Sequence, residues 1–315
     1  PMCSGGDRPG GSGTTMNRPG PNFLDLQAAG AAALPRTRVL PLPYEATVSY
    51  EGGTANGPGA ILEASTQVEL YDRAVGEEAC LRYGIETLPA YSPPGLVGED
   101  YVDGLAALTE SLFDPERLIV GLGGEHTVTV GLVRGTRRAL GKPLTMVQID
   151  AHADLRDQYG GDPYSHACIS RRLLDDGVDR LVLLGTRSVC PEEVRLIEND
   201  PRISVFWADE IQSDGEGRYL RALRQMLEGR DVYFTIDVDG LDPSVVAATG
   251  TPEPGGLSWW QARAIAQTTA EAATVRGLDV TELAPRAGLH AADFAVAKLV
   301  YHSVNQVAVT RGWLG

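Results

Sequence analysis

Three shortages narrow the field at once: few cysteines, no membrane-length apolar run, and no surplus of basic residues. The four cysteines, Cys3, Cys80, Cys168 and Cys190, lie far apart and form no C-x-x-C pair. A disulfide framework is therefore not expected, and scattered free thiols in a chain of 315 residues suit a reducing cytoplasm. No stretch reaches the roughly 18 consecutive apolar residues of a membrane span. No basic segment leads into an apolar one near the start, as a secretory signal would require. With 27 Lys and Arg against 42 Asp and Glu, the formal net charge is −15. Nucleic acid, which is held by clustered Lys and Arg, is not an expected partner; small cations suit such a surface better. Nor is Gly121-Leu122-Gly123-Gly124 a dinucleotide fingerprint, because its glycines lack the required spacing.

Hydrophobic residues at 43% are ample for a large core. Residues 1–21 are rich in Gly, Pro, Ser and Thr, too poor in apolar surface to offset their ordering entropy, and are expected to form a flexible tail. The remainder, 22–315, shows no repeat and no linker and reads as a single domain. Apolar runs predict buried strands at 38–43, 117–122, 145–149, 180–184, 203–206, 232–236 and 276–280. Helical spacing predicts helices at 58–71, 103–113, 191–198, 218–227 and 258–270. Apolar strands alternating with helices imply an α/β fold with a mainly parallel sheet covered on both faces.

Polar clusters follow these strands directly. Gly123-Gly124-Glu125-His126, Asp150-Ala151-His152-Ala153-Asp154, Asp237-Val238-Asp239 and Glu282 each come just after a predicted strand, at the sheet edge where α/β proteins place their sites. An extended backbone would send Asp150, His152 and Asp154 to one side, and likewise Asp237 and Asp239. One such Asp is ordinarily a turn or cap residue. The set together supplies oxygen and imidazole ligands for two divalent cations, with manganese favoured and iron, cobalt, nickel or zinc admissible. Two adjacent cations activate a water near neutral pH, so the chain reads as a binuclear metal hydrolase. His166, in Tyr164-Ser165-His166, is placed to carry a proton at the mouth. Glu282 is placed to grip a planar cation. Trp259-Trp260 after Ser258 reads as a capped helix start with core aromatics, His290 and His302 as packing residues of a C-terminal helix, and Cys168 as a passive thiol.

These residues resemble the ureohydrolases, the arginase and agmatinase family, and agmatinase-like members most. The resemblance begins near Pro41, takes in Pro43-Tyr44-Glu45, Ser49-Tyr50 and Gly53-Thr54, then 123–126, 150–154, 164–167, 235–243, 250–257 and 280–285. It implies a three-layer α/β/α sandwich, arginase-like, assembled as homo-trimers or homo-hexamers. It implies one Mn2+ on His126, Asp150, Asp154 and Asp237 and another on His152, Asp150, Asp237 and Asp239, with Ni2+ as an alternative. A bridging hydroxide would attack the guanidinium carbon, releasing urea and an amine. Asp154 would orient the hydroxide and pass a proton on, His166 would shuttle it, and Glu282 would hold the guanidinium. Two departures stand out. Glu125 replaces the usual Asp before the first histidine, and the stretch 155–166 lacks the Asn and His-Gly pair with which arginases clamp an amino-acid head. Agmatine, cleaved to putrescine and urea, is therefore the first expectation. Guanidinobutyrate, guanidinopropionate and free guanidine are alternatives within the same chemistry. A non-catalytic regulatory relative and a one-zinc amide hydrolase are the rival classes.

Overall fold

The computed structural model describes residues 21–26 and 34–315. The expected tail over 1–21 lies, Pro21 apart, outside the described residues. Strands β1 (Thr37–Leu42), β2 (Ile85–Thr87), β3 (Leu118–Gly123), β4 (Thr145–Ile149), β5 (Arg180–Thr186), β6 (Ile203–Trp207), β7 (Asp231–Asp237) and β8 (Thr274–Thr281) form one sheet in the order β2-β1-β3-β8-β7-β4-β5-β6. Every pairing is parallel. The last two strands of the chain thus enter between β3 and β4. Register makes their ends level: Ile149 pairs with Ile236, Ile236 with Val280, and Val280 with Leu122.

Period-two burial explains the layers. On β4, Val147 and Ile149 join one core, while Met146 joins the other. The first core is closed by helices α1 (Gly57–Ser65), α9 (Trp259–Ala272) and α10 (His290–Thr310), through Ile61, Ile265 and Val300 among others. The second is closed by α3 (Gly98–Leu112), α4 (Val128–Leu140) and α5 (Ile169–Asp175), through Leu105, Leu132 and Leu173. The result is the expected α/β sandwich with a parallel centre. No helix among the described residues is long and apolar enough to cross a membrane.

Several local expectations need correction. The helix expected over 58–71 stops at Ser65, because Thr66, Gln67 and Val68 donate to carbonyls three residues back, a tightening that ends an α-helix. Ser65 and Thr66 hydroxyls also donate to the carbonyls of Leu62 and Glu63. The helix expected from 103 begins at Gly98, with Glu99 and Asp100 placed favourably in its first turn. Strand β2 is an edge strand too short to show a pattern. Ser258 does cap α9, in a reciprocal pair with Gln261, but Trp260 is 70% exposed and not a core aromatic. His290 is exposed, whereas His302 is buried against Asp72.

The turn after β3 is packed on backbone. Gly124 donates to the Leu42 carbonyl, and its own carbonyl accepts from Glu282 N–H at 2.8 Å. A Cβ on Gly124 would lie 2.0 Å from the Tyr44 carbonyl oxygen. Gly124→Ala is expected to lower unfolding free energy by about 3 kcal/mol or more, as overpacking against rigid backbone does. Urea denaturation measures it; an unchanged midpoint would mean that the turn has room to yield.

Candidate metal centre

The level ends of β4, β7, β8 and β3 deliver Asp150, Asp237, Glu282 and His126 to one place. The His126 Nδ1 lies 3.2 Å from Asp150 Oδ2, 3.1 Å from Asp154 Oδ2 and 3.2 Å from Asp237 Oδ2. The His152 Nδ1 lies 3.1 Å from Asp239 Oδ2 and 3.6 Å from Asp150 Oδ1. Two groups with metal-ligand geometry result: His126, Asp150 and Asp237, and Asp150, His152 and Asp239. Asp150 belongs to both, and Asp237 falls with the first. A ring nitrogen carries at most one proton, which cannot satisfy three carboxylate oxygens converging on it. Neighbouring ligands about an octahedral cation with bonds of about 2.1 Å stand roughly 3.0 Å apart, so the spacing fits a divalent ion better than a proton.

The electrostatics point the same way. Burial works against charged imidazoles, yet the carboxylates of Asp150, Asp154 and Asp237 lift His126 well above its ordinary pKa, and Asp239 and Asp150 do so for His152. Burial, then the charge on Asp150, pushes the Asp154 carboxyl up to about 7. Burial, then Asp239 and Asp150, raises Asp237 as well. Carboxylates crowded out of water repel one another until a cation sits among them.

The side chains converge partly by the expected route. Past β4 the chain stays strand-like as far as His152, which bridges Ser188 in parallel, and then departs. Asp154 takes φ +53° and Glu282 φ +64°, left-handed conformations uncommon for such residues and concentrated at functional sites. Residues Val238–Gly240 form a 3-10 turn, capped by Asp237, whose side chain accepts from Asp239 N–H. That turn packs beneath β4 because residue 240 is glycine: a Cβ there would lie 2.6 Å from Asp150 N.

A second ring, which the sequence reading missed, fixes the first. Thr235 Oγ1 stands 3.1 Å from His126 Nε2 and donates to Asp279 Oδ1 at 2.5 Å; Tyr233 donates to Asp279 Oδ2 at 2.8 Å. With Nδ1 as the metal-facing nitrogen, Nε2–H donates to Thr235, which orients the ring. Gln148 donates to Asp150 Oδ2 at 2.7 Å and is itself held by Ser170. Glu193 accepts from Leu155 and Cys190 N–H groups at the start of α6 (Pro191–Asn199). Buried polar residues inside otherwise apolar strands, at 148, 235 and 279, were the available signal.

Above these groups opens a cavity of about 240 Å³. His126, His152, Asp154, His166, Asp237, Asp239 and Glu282 line it, while Asp150 lies buried beneath. His166 is gripped at both ring nitrogens, Nδ1 by Thr47 and Nε2 by Ser49, each at 2.7 Å. Burial, then the nearby His126 and His152, holds its pKa down at about 4, so the ring is neutral at physiological pH. Glu282 Oε1 accepts from His126 N–H at 2.7 Å, so one of its oxygens is already engaged. The Glu125 carboxylate is turned to the N–H groups of Ala46 and Thr47. Cys168 is buried, and its thiol is pushed up to about 12 by burial and Asp154, an inert group as expected.

The sequence and the fold both match known proteins. The arginase family model covers residues 36–304, and the chain belongs to that family. It is 38% identical over 287 residues to N(1)-aminopropylagmatine ureohydrolase of Synechocystis sp., covering 89% of this chain and 91% of that protein. It is 30% identical to an agmatinase of Pyrococcus horikoshii, over 86% of this chain and 91% of the relative. The solved agmatine ureohydrolase of Thermoplasma volcanium superposes with a TM-score of 0.76 at 30% identity, covering 89% of this chain and 90% of that one. The chain is therefore a ureohydrolase of the arginase family.

Replacing Thr235 by Val should leave His126 Nε2 and the Asp279 carboxylate without their shared partner. Metal affinity is expected to fall by about 10- to 100-fold, as losses of such supporting contacts do. Competition against a chelator reads this directly; wild-type affinity would remove Thr235 from the support of the site.

Proposed function

We propose that this ureohydrolase releases urea from a guanidinoalkyl amine, with N(1)-aminopropylagmatine and agmatine as the two leading substrates. The observation that carries the reading is the pair of ligand groups sharing Asp150 at the floor of a cavity whose wall holds His166 and Glu282. The donor set, carboxylate oxygens with imidazole nitrogens and no thiolate, suits manganese, with nickel as the alternative. Two such cations, when bound, supply an activated water at neutral pH. His126, Asp150, Asp154 and Asp237 would hold one, and His152, Asp239 and Asp150 the other.

The remaining work falls to the chain's own side chains. Asp154, at the cavity wall, accepts the proton that the attacking water gives up. Neutral His166 carries a proton between that carboxylate and the departing amine. Glu282 sets carboxylate charge against the guanidinium, fixed in place by the His126 N–H. No amino-acid clamp occupies 155–166, which favours a substrate without an amino-acid head. The relatives at up to 38% identity that bear the aminopropylagmatine name support the longer substrate. The agmatinases and the solved agmatine ureohydrolase support the shorter. Trimeric or hexameric assembly is part of the same reading, with mass in solution as its check.

Urea release by manganese-loaded protein against aminopropylagmatine, agmatine, arginine, guanidinobutyrate and guanidine, repeated with nickel, decides the substrate. The highest kcat/KM is expected on one of the first two, with arginine far behind; a preference for guanidinobutyrate or guanidine would replace the substrate. In His166→Asn, kcat should drop by about 100- to 10,000-fold, the worth of a positioned proton carrier, with both metals retained. Near-normal turnover would remove His166 from the proton path.

A further inference from the structure

The Glu125 carboxylate reaches two segments of the chain at once. Oε2 accepts from the N–H groups of Ala46 at 2.5 Å and Thr47 at 2.6 Å. Oε1 accepts from the hydroxyls of Thr47 at 3.0 Å and Thr127 at 2.6 Å. The Thr127 hydroxyl also lies 3.1 Å from the Tyr164 carbonyl oxygen, in the segment leading to His166. Thr47 is the link to the proton carrier itself. Its oxygen accepts from His166 N–H at 3.2 Å and stands 2.7 Å from Nδ1.

A hydroxyl has one proton and two acceptor lone pairs. A carboxylate can only accept, so Thr47 spends its proton on Glu125, and both lone pairs are left for His166. One takes the backbone N–H, and the other can pair with Nδ1 only if Nδ1 carries the hydrogen. In a neutral imidazole the partner of one nitrogen decides the state of the other. We infer that Glu125 is a positioning residue that, through Thr47, fixes His166 in its Nδ1–H tautomer and leaves Nε2 as the free base beside Ser49. The chain is Glu125 carboxylate, Thr47 hydroxyl, His166 Nδ1–H, then the Nε2 lone pair at the cavity wall. This rests on His166 carrying the proton in the reaction proposed above.

The reach of the side chain matters more than its charge in this arrangement. Asp at 125 would withdraw the carboxylate by roughly one C–C bond, about 1.5 Å, breaking contacts now at 2.5 to 3.0 Å. Gln keeps the length, and its carbonyl can still accept from Ala46 and Thr47 N–H. Glu125→Asp is therefore expected to lower kcat by about 10- to 100-fold, with KM changed little and metal content unchanged. Glu125→Gln should lose less. In a His166→Asn background, Glu125→Asp should add nothing, because both changes act on one proton path.

The tautomer itself can be read without turnover. Nitrogen chemical shifts of His166 in metal-free, 15N-histidine-labelled protein should show Nδ1–H in the wild type. Glu125→Ala should shift the ring to a mixture or to Nε2–H. Thr47→Val should do the same and leaves the Glu125 contacts with backbone N–H groups in place, so it serves if the first variant does not fold. An Nε2–H ring in the wild type, or an unchanged tautomer in Thr47→Val, overturns the inference. So do Gln losing more than Asp, additive losses with His166→Asn, or lost metal in Glu125→Asp. If the wild type releases urea from no guanidino compound, the proposed function fails, and the nitrogen shifts still decide the role of Glu125.

Discussion

Four aspartates and two imidazoles share a few ångströms at one edge of the sheet, each aspartate nearly or fully out of water. Unpaired carboxylates in such a place are costly to bury, and the surrounding structure reads as the response to that cost. Backbone N–H groups of Ala151, His152 and Asp239 donate to them, Gln148 and Thr251 add side-chain donors, and two imidazoles stand against them. What these partners leave uncompensated is a concentration of negative charge shaped for divalent cations. The level strand ends, the glycines at 124 and 240 and the two left-handed residues all serve to bring that charge together.

The histidines show how one edge can hold the same side chain in two states. His126 and His152 face carboxylates, which raise their pKa values, and they sit where ligands are needed. His166 faces hydroxyls, lies farther from the acidic floor, and is held neutral. Different surroundings thus push three like groups apart in pKa. Glu282 belongs with neither set. Burial and the nearby Glu125 push its pKa well up, while the His126 N–H steadies one oxygen beneath the cavity. A guanidinium, permanently charged and planar, is the type of group that favours its ionised form.

Much of this was legible in the chain. The strand at 145–149 has the predicted bounds, and the other six that were read lie within two residues of theirs at each end. Long apolar runs followed at once by acidic or histidine clusters carry that information locally. Seven of the eight singled-out side chains line one cavity with Asp150 beneath it, because parallel strands present the same ends, and only His166 comes from a segment that follows no strand directly. The conformation that gathers them was legible only in part: alternation suggested extended backbone, which holds as far as His152, whereas a 3-10 turn at 238–240 and a left-handed Asp154 depend on contacts with distant segments. Thr235, Gln148 and Asp279 were hidden for a related reason. A polar residue within a strand says that it needs a partner, but not which one. Strand β2 and the early end of α1 escaped because short edges and hydroxyl-tightened turns leave little periodic trace.

The order of the strands has a consequence for how the molecule comes into being. His126 and Asp150 follow β3 and β4, which are successive in the chain yet three inter-strand steps apart in the sheet, or about 14 Å. The gap is filled only by β7 and β8, encoded more than 80 residues after β4 begins. Until the C-terminal third has been synthesised and inserted, half of the acidic cluster has nothing opposite it and no shared floor on which to assemble. The cation site is thus a late product of folding, completed by the same long-range insertion that closes the sheet, and a chain arrested earlier would present its first histidine and first aspartates as separate, weak metal traps.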